Sequence, residues 1–113
     1  SRAGAIVGTP AYMSPEQARG EAAAIGPRTD VFTFGANLFH LVTGKPPGHG
    51  DDLRVLISRR RTGDIPRLRA ARPEVPARLD AICSRAMALR PEHRYPTVAA
   101  FAADLRAFLA ARE

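Results

Sequence analysis

One segment governs what this chain can fold into: Val31-Phe32-Thr33-Phe34-Gly35-Ala36-Asn37-Leu38-Phe39-His40-Leu41-Val42, opened by Asp30 and closed by Gly44, Pro46 and Pro47. On a helical wheel its apolar side chains fall on every side instead of in one stripe, the pattern of a helix enclosed by protein. Glycine and proline at its end supply a stop. A central pillar, with other helices packed around it, is the expected architecture.

The rest of the chain can build only a thin jacket. Leu, Ile, Val and Phe together number 25 of 113 residues, and 21 residues are alanine, which buries little area each. One small domain follows from this length. Asp51 to about Arg61 reads as an amphipathic helix through Leu53, Leu56 and Ile57, and 63–76 as a proline-containing loop. Pro76 then starts a helix whose Leu79, Ile82, Cys83, Ala86 and Leu89 recur at steps of three and four until Pro91. Thr97 caps a last helix with a stripe of Val98, Phe101, Leu105, Phe108 and Leu109. Near the start, Ser14 caps and Pro15 fits a first turn, after an extended loop over 1–13. No confident strand is visible, so the predicted class is all-α, with four to five helices.

Several chemistries are excluded at this stage. Cys83 is the single cysteine, so no internal disulfide is possible, and three scattered histidines lack metal-ligand spacing. His49 beside Asp51 and Asp52 reads as a solvated loop, and His40 as a packed or capped side chain. Gly44-Lys45 lacks the remaining residues of a phosphate-binding loop. No run is long and apolar enough for a membrane span, and Ser1 to Val7 lack the apolar stretch of a secretion signal, so a cytoplasmic setting is expected. A chain opening at Ser1 without methionine is expected to be a piece of something longer.

The formal charge is +6 and nearly all the basic residues are arginine, densest at Arg59, Arg60 and Arg61. No aromatic residue interleaves them as a base-stacking platform requires. A solvated helix end, and no nucleic-acid partner, is the expectation. From the residues alone, Glu16 and Arg94 read as exposed charges, Asp30 as a helix N-cap, and Gly8-Thr9-Pro10 as an ordinary turn.

Three blocks change those readings. Gly8-Thr9-Pro10-Ala11-Tyr12-Met13-Ser14-Pro15-Glu16-Gln17, then Asp30-Val31-Phe32-Thr33-Phe34-Gly35, then Pro91-Glu92-His93-Arg94, in this order, resemble the C-terminal lobe of a serine/threonine protein kinase of the bacterial, eukaryote-like type. The resemblance runs from the end of the activation segment onward and covers essentially the whole chain. It implies a partial kinase domain, with 1–13 as the activation-segment and substrate loop and 14–113 as the helical base. Ser14-Pro15-Glu16 is similar to the A-P-E motif, with Arg94 as the buried partner of Glu16. Gly8, Thr9, Pro10, Ala11 and Tyr12 resemble the strip that receives the substrate residue following the phosphorylated one, and Gly8-Thr9 implies Ser/Thr specificity. Asp30 resembles the carboxylate that anchors the catalytic loop.

The same resemblance implies what is missing. Phosphoryl transfer in this family needs a glycine-rich loop, a strand lysine, the H-R-D base and the D-F-G aspartate, none of which occurs here. His93-Arg94-Tyr95 places Tyr where that base would stand. The expectation is therefore no catalytic, cofactor or metal residue in this chain. ATP and Mg would belong to the complete kinase domain, whose N-terminal part would be a partner together with a protein or peptide substrate. The rival expectation is a non-catalytic interaction module derived from a kinase lobe. Truncation would then bare flanks of the 31–42 helix. Departures from the family pattern are Phe32 and Phe34 for the usual Tyr or Trp and Leu, Gly48 where Phe often stands, and Arg90 before Pro91.

Overall fold

A computed structural model describes residues 10–112. Among them six α-helical segments and no strand occur: α1 (Pro15–Ala18), α2 (Pro27–Thr43), α3 (Leu53–Thr62), α4 (Leu68–Ala71), α5 (Ala77–Ala86) and α6 (Val98–Ala111). The all-α class stands. Four of these helices run ten residues or more, and α1 and α4 are single turns.

The central helix is α2. It starts earlier than the sequence predicts: Gly26 is the N-cap and Pro27 the first helical residue, so Asp30 lies exposed in the first turn and caps nothing. Proline's fixed φ and missing N–H suit a first-turn position, and that lets the helix begin before its apolar run. At the other end Gly44 adopts φ +84° and its N–H reaches the His40 carbonyl at 2.8 Å. A left-handed residue ends a helix this way because glycine has no Cβ to clash.

One flank of α2 packs Phe32, Ala36 and Phe39 against Leu68, Val75, Cys83 and Met87. The other packs Val31 against Ile82, Ala86, Tyr95, Phe101 and Phe108. Between them α2 approaches α5 so closely that a Cβ on Gly35 would stand 2.8 Å from both Ala86 Cβ and Met87 Cγ. The enclosure is incomplete. Phe34 is 48% and Leu41 83% exposed, so a strip with Asp30, Phe34, Asn37 and Leu41 at helical spacing faces outward.

The segment 63–76 contains α4 where the sequence predicts only loop. Leu68 is buried against α2 and α5, and Asp80 of α5 ties the turn down. Its carboxylate accepts from Arg67 Nη2 at 2.6 Å, Arg67 Nε at 3.1 Å and the Arg69 backbone N–H at 3.3 Å. Helix α5 ends at Ala86 with Met87 as C-cap, short of Leu89. Thr97 caps α6, accepting from Ala100 N–H at 3.1 Å, and Leu109 of the predicted stripe is exposed.

Candidate functional site

The site is assembled around a one-turn helix at its edge. In α1 the Ser14 hydroxyl accepts from Gln17 N–H at 3.2 Å and the Gln17 side chain accepts from Ser14 N–H at 2.8 Å. This reciprocal cap is what lets four residues hold a helical turn. It fixes Glu16 pointing inward, where the side chain is almost fully buried.

Arg94 meets it there. Nη1 donates to Glu16 Oε2 at 2.7 Å and Nη2 to Oε1 at 2.8 Å, two parallel charge-assisted hydrogen bonds. The remaining guanidinium donors go to the carbonyls of Ala88 (2.8 Å), Arg28 (3.0 Å) and Leu89 (3.2 Å). Thr29 Oγ1 donates to Glu16 Oε2 at 2.8 Å and accepts from Gly26 N–H at 3.0 Å. Burial pushes the Glu16 carboxyl up, but the hydrogen bonds from Arg94, from backbone and from Thr29 outweigh it and hold the group below the usual carboxylate value. Sequence reasoning passed over Thr29. Its signal was a hydroxyl three residues after Gly26 at a helix start.

Upstream of this pair runs the strip. Gly8 and Thr9 lie outside the described residues. Pro10–Tyr12 form a 3-10 turn closed by Met13 N–H to the Pro10 carbonyl at 3.1 Å, with Ala11 buried. The Tyr12 hydroxyl bonds His40 Nδ1, and the two rings stack with centroids 6.1 Å apart. His40 therefore has a definite partner on the strip. Asp30 stands apart from the Glu16 and Arg94 pair, exposed, with no side-chain hydrogen bond among the described residues.

Of the arginine run, Arg59 pairs with Asp51 at 3.3 Å and Asp64 at 3.7 Å, and Arg61 is exposed. Arg60 overturns the expectation of a solvated helix end. It is 2% exposed, and Nη2 donates to the carbonyls of Ala11 (2.9 Å) and Pro47 (3.1 Å). Helical spacing puts it four residues from buried Leu56, and that was the available signal. The loop acids also have specific duties: Asp52 caps α3 through Val55 N–H at 3.0 Å, while Asp51 serves Arg59.

No protein-family model matches the chain. Individual kinases do. Tyrosine-protein kinase MasK of Myxococcus xanthus is 41% identical over 110 residues, which cover 96% of this chain and 17% of that protein. Serine/threonine-protein kinase PknB of Mycobacterium tuberculosis is 41% identical over 102 residues, covering 89% of the chain and 16% of PknB. PknL of the same species is 39% identical over 104 residues, with 92% and 26% covered.

The helical fold and these matches define a portion of a kinase C-terminal lobe. The chain is homologous to a C-terminal-lobe portion of bacterial protein kinases, and it spans between 16% and 26% of the length of these relatives. No helix among the described residues is long and apolar enough to cross a membrane.

Proposed function

We propose that this chain serves as the substrate-docking part and helical base of an ATP-dependent kinase acting on Ser or Thr of proteins. Gly8, Thr9, Pro10, Ala11 and Tyr12 receive the peptide, Glu16 and Arg94 moor that strip to the base, and Asp30 anchors the catalytic loop. The observation that carries this reading is the forked ion pair, which ties the end of the strip to a residue 78 positions away. Ser/Thr specificity rests on Gly8-Thr9, since the relatives carry both tyrosine-kinase and serine/threonine-kinase names.

The residues present do not suit an ATP·Mg site. Among those described no group of three or more His, Cys, Asp or Glu side chains converges, and the sequence has neither H-R-D nor D-F-G. Nucleotide and metal belong to the remainder of the kinase domain, and this chain alone transfers no phosphate. The test is a radiolabelled phosphotransfer assay on a Ser/Thr peptide pool, with the 113-residue chain and with the longer product of its locus. Activity in the longer product alone supports the reading. Absence of H-R-D and D-F-G upstream ends it.

Exposed Phe34 and Leu41 favour a second reading, a non-catalytic module that docks a protein partner. In the leading reading the rest of the lobe covers those side chains. Light scattering separates the two: a monodisperse chain supports an independent module, and a self-associating one supports a lobe in need of its missing part.

A further inference from the structure

Arg60 is an expensive residue to keep where it is. The guanidinium is 98% removed from solvent by residue area, makes no ion pair among the described residues, and leaves Nε buried with no hydrogen-bond partner. Burial lowers its pKa to about 10, a shift that the nearby Asp51 carboxylate partly opposes, so it remains a cation at neutral pH. Buried cations without a counter-ion cost stability, and an apolar side chain of similar volume commonly fills such a site with less penalty. Packing therefore does not account for an arginine here.

Its contacts do. The single nitrogen Nη2 bridges two carbonyls from separate parts of the chain, Ala11 in the middle of the strip and Pro47 in the elbow between α2 and α3. The guanidinium carbon stands 5.7 Å from the centre of the Phe32 ring, on the central helix. The elbow is itself tightly seated: Gly48 has φ +85°, and a Cβ there would come within 2.5 Å of Leu56 Cδ1. A methionine or leucine could fill this volume but could donate to neither carbonyl.

We infer that Arg60 is a positioning residue for the docking strip, fixing the backbone of Pro10–Tyr12 against the Pro47 elbow and so setting the affinity for the peptide laid on it. The clamp is separate from the Glu16 and Arg94 mooring, which holds the strip's far end. Its bearing on peptide affinity rests on the docking role proposed above.

The test compares Arg60→Met, Arg60→Lys and the unaltered protein. In the 113-residue chain, amide hydrogen exchange of Tyr12 and Met13 is expected to quicken by about tenfold or more in Arg60→Met, the loss of a charged hydrogen bond, with partial recovery in Arg60→Lys. Amides of α2 and α5 should keep their protection, and the urea midpoint should hold or rise. In the longer product, KM for a pool of peptides with a fixed central serine should rise about fivefold in Arg60→Met while kcat stays within about twofold. Unchanged exchange at Tyr12 and Met13 overturns the clamp, as does loosening spread across α2 and α5. A loosened strip with unaltered KM overturns its role in affinity. Should the unaltered longer product phosphorylate nothing, the docking role falls, while the exchange data still decide the clamp.

Discussion

Glu16 and Arg94 share two parallel hydrogen bonds of 2.7 and 2.8 Å in a site from which both side chains are almost wholly withdrawn from solvent. Thr29 adds a third hydrogen bond to the same carboxylate. Removing one partner leaves the other as an uncompensated buried charge. Glu16→Gln and Arg94→Met should each destabilise the chain by about 3 to 5 kcal/mol in urea titrations, and the double variant by less than their sum.

Acid should act through the same pair. The folded Glu16 carboxyl lies below its ordinary value of 4.5, so its contribution is complete above that value and is lost as pH falls through the lower folded pKa. Stability measured by urea midpoints is expected to drop below about pH 4.5. In Glu16→Gln that acid limb should be shallower.

The contact between α2 and α5 leaves no room at Gly35. Gly35→Ala should lower stability by about 1 to 3 kcal/mol through overpacking, against the usual benefit of alanine in a helix. Thermal denaturation gives the answer directly. Enlarging the space with Ala86→Gly in the same chain should recover part of the loss, since the Ala86 Cβ is one of the two clashing atoms, the other being Met87 Cγ.

Cys83 should be chemically silent. Burial raises its thiol to about 12, and Sγ is packed between the Gly35 carbonyl and Met87 Sδ. The thiolate is the reactive form, so an Ellman-type reagent at pH 8 should modify it only as fast as the chain opens. Added urea should release a burst of one thiol per chain.

Leu41 and Phe34 predict the opposite of a core position. Leu41→Ser should change stability by no more than about 0.5 kcal/mol, because the side chain is already 83% exposed. Binding of a hydrophobic dye should fall in the same variant, more so with Phe34→Ser added.

How much of this was readable beforehand divides along physical lines. Periodicity found the four long helices because each carries a sustained apolar pattern, and glycine and threonine marked several of their ends. It placed the start of α2 late, since Pro27 to Thr29 carry no apolar side chain to signal helix. It missed α4, whose turn depends on Asp80 reaching Arg67 and Arg69 from another helix. Leu41 looked buried because a helical wheel cannot tell which flank the rest of a chain will cover. Charged residues were least legible: only the four-residue step from Leu56 separates Arg60, buried, from Arg59 and Arg61 beside it. The link between Glu16 and Arg94 came from motif resemblance, as no spacing rule connects residues so far apart.

Phe32 gives these observations a shared hinge point. The guanidinium of Arg94 lies 5.1 Å from the centre of its ring and that of Arg60 5.7 Å, so one aromatic π-cloud is in reach of both cations that tether the strip. Exchanging the benzene ring for a cyclic-free hydrocarbon such as leucine would weaken both tethers in a single step. The two holds on the strip thus border one ring of the central helix, and a change at that ring should be felt at each of them.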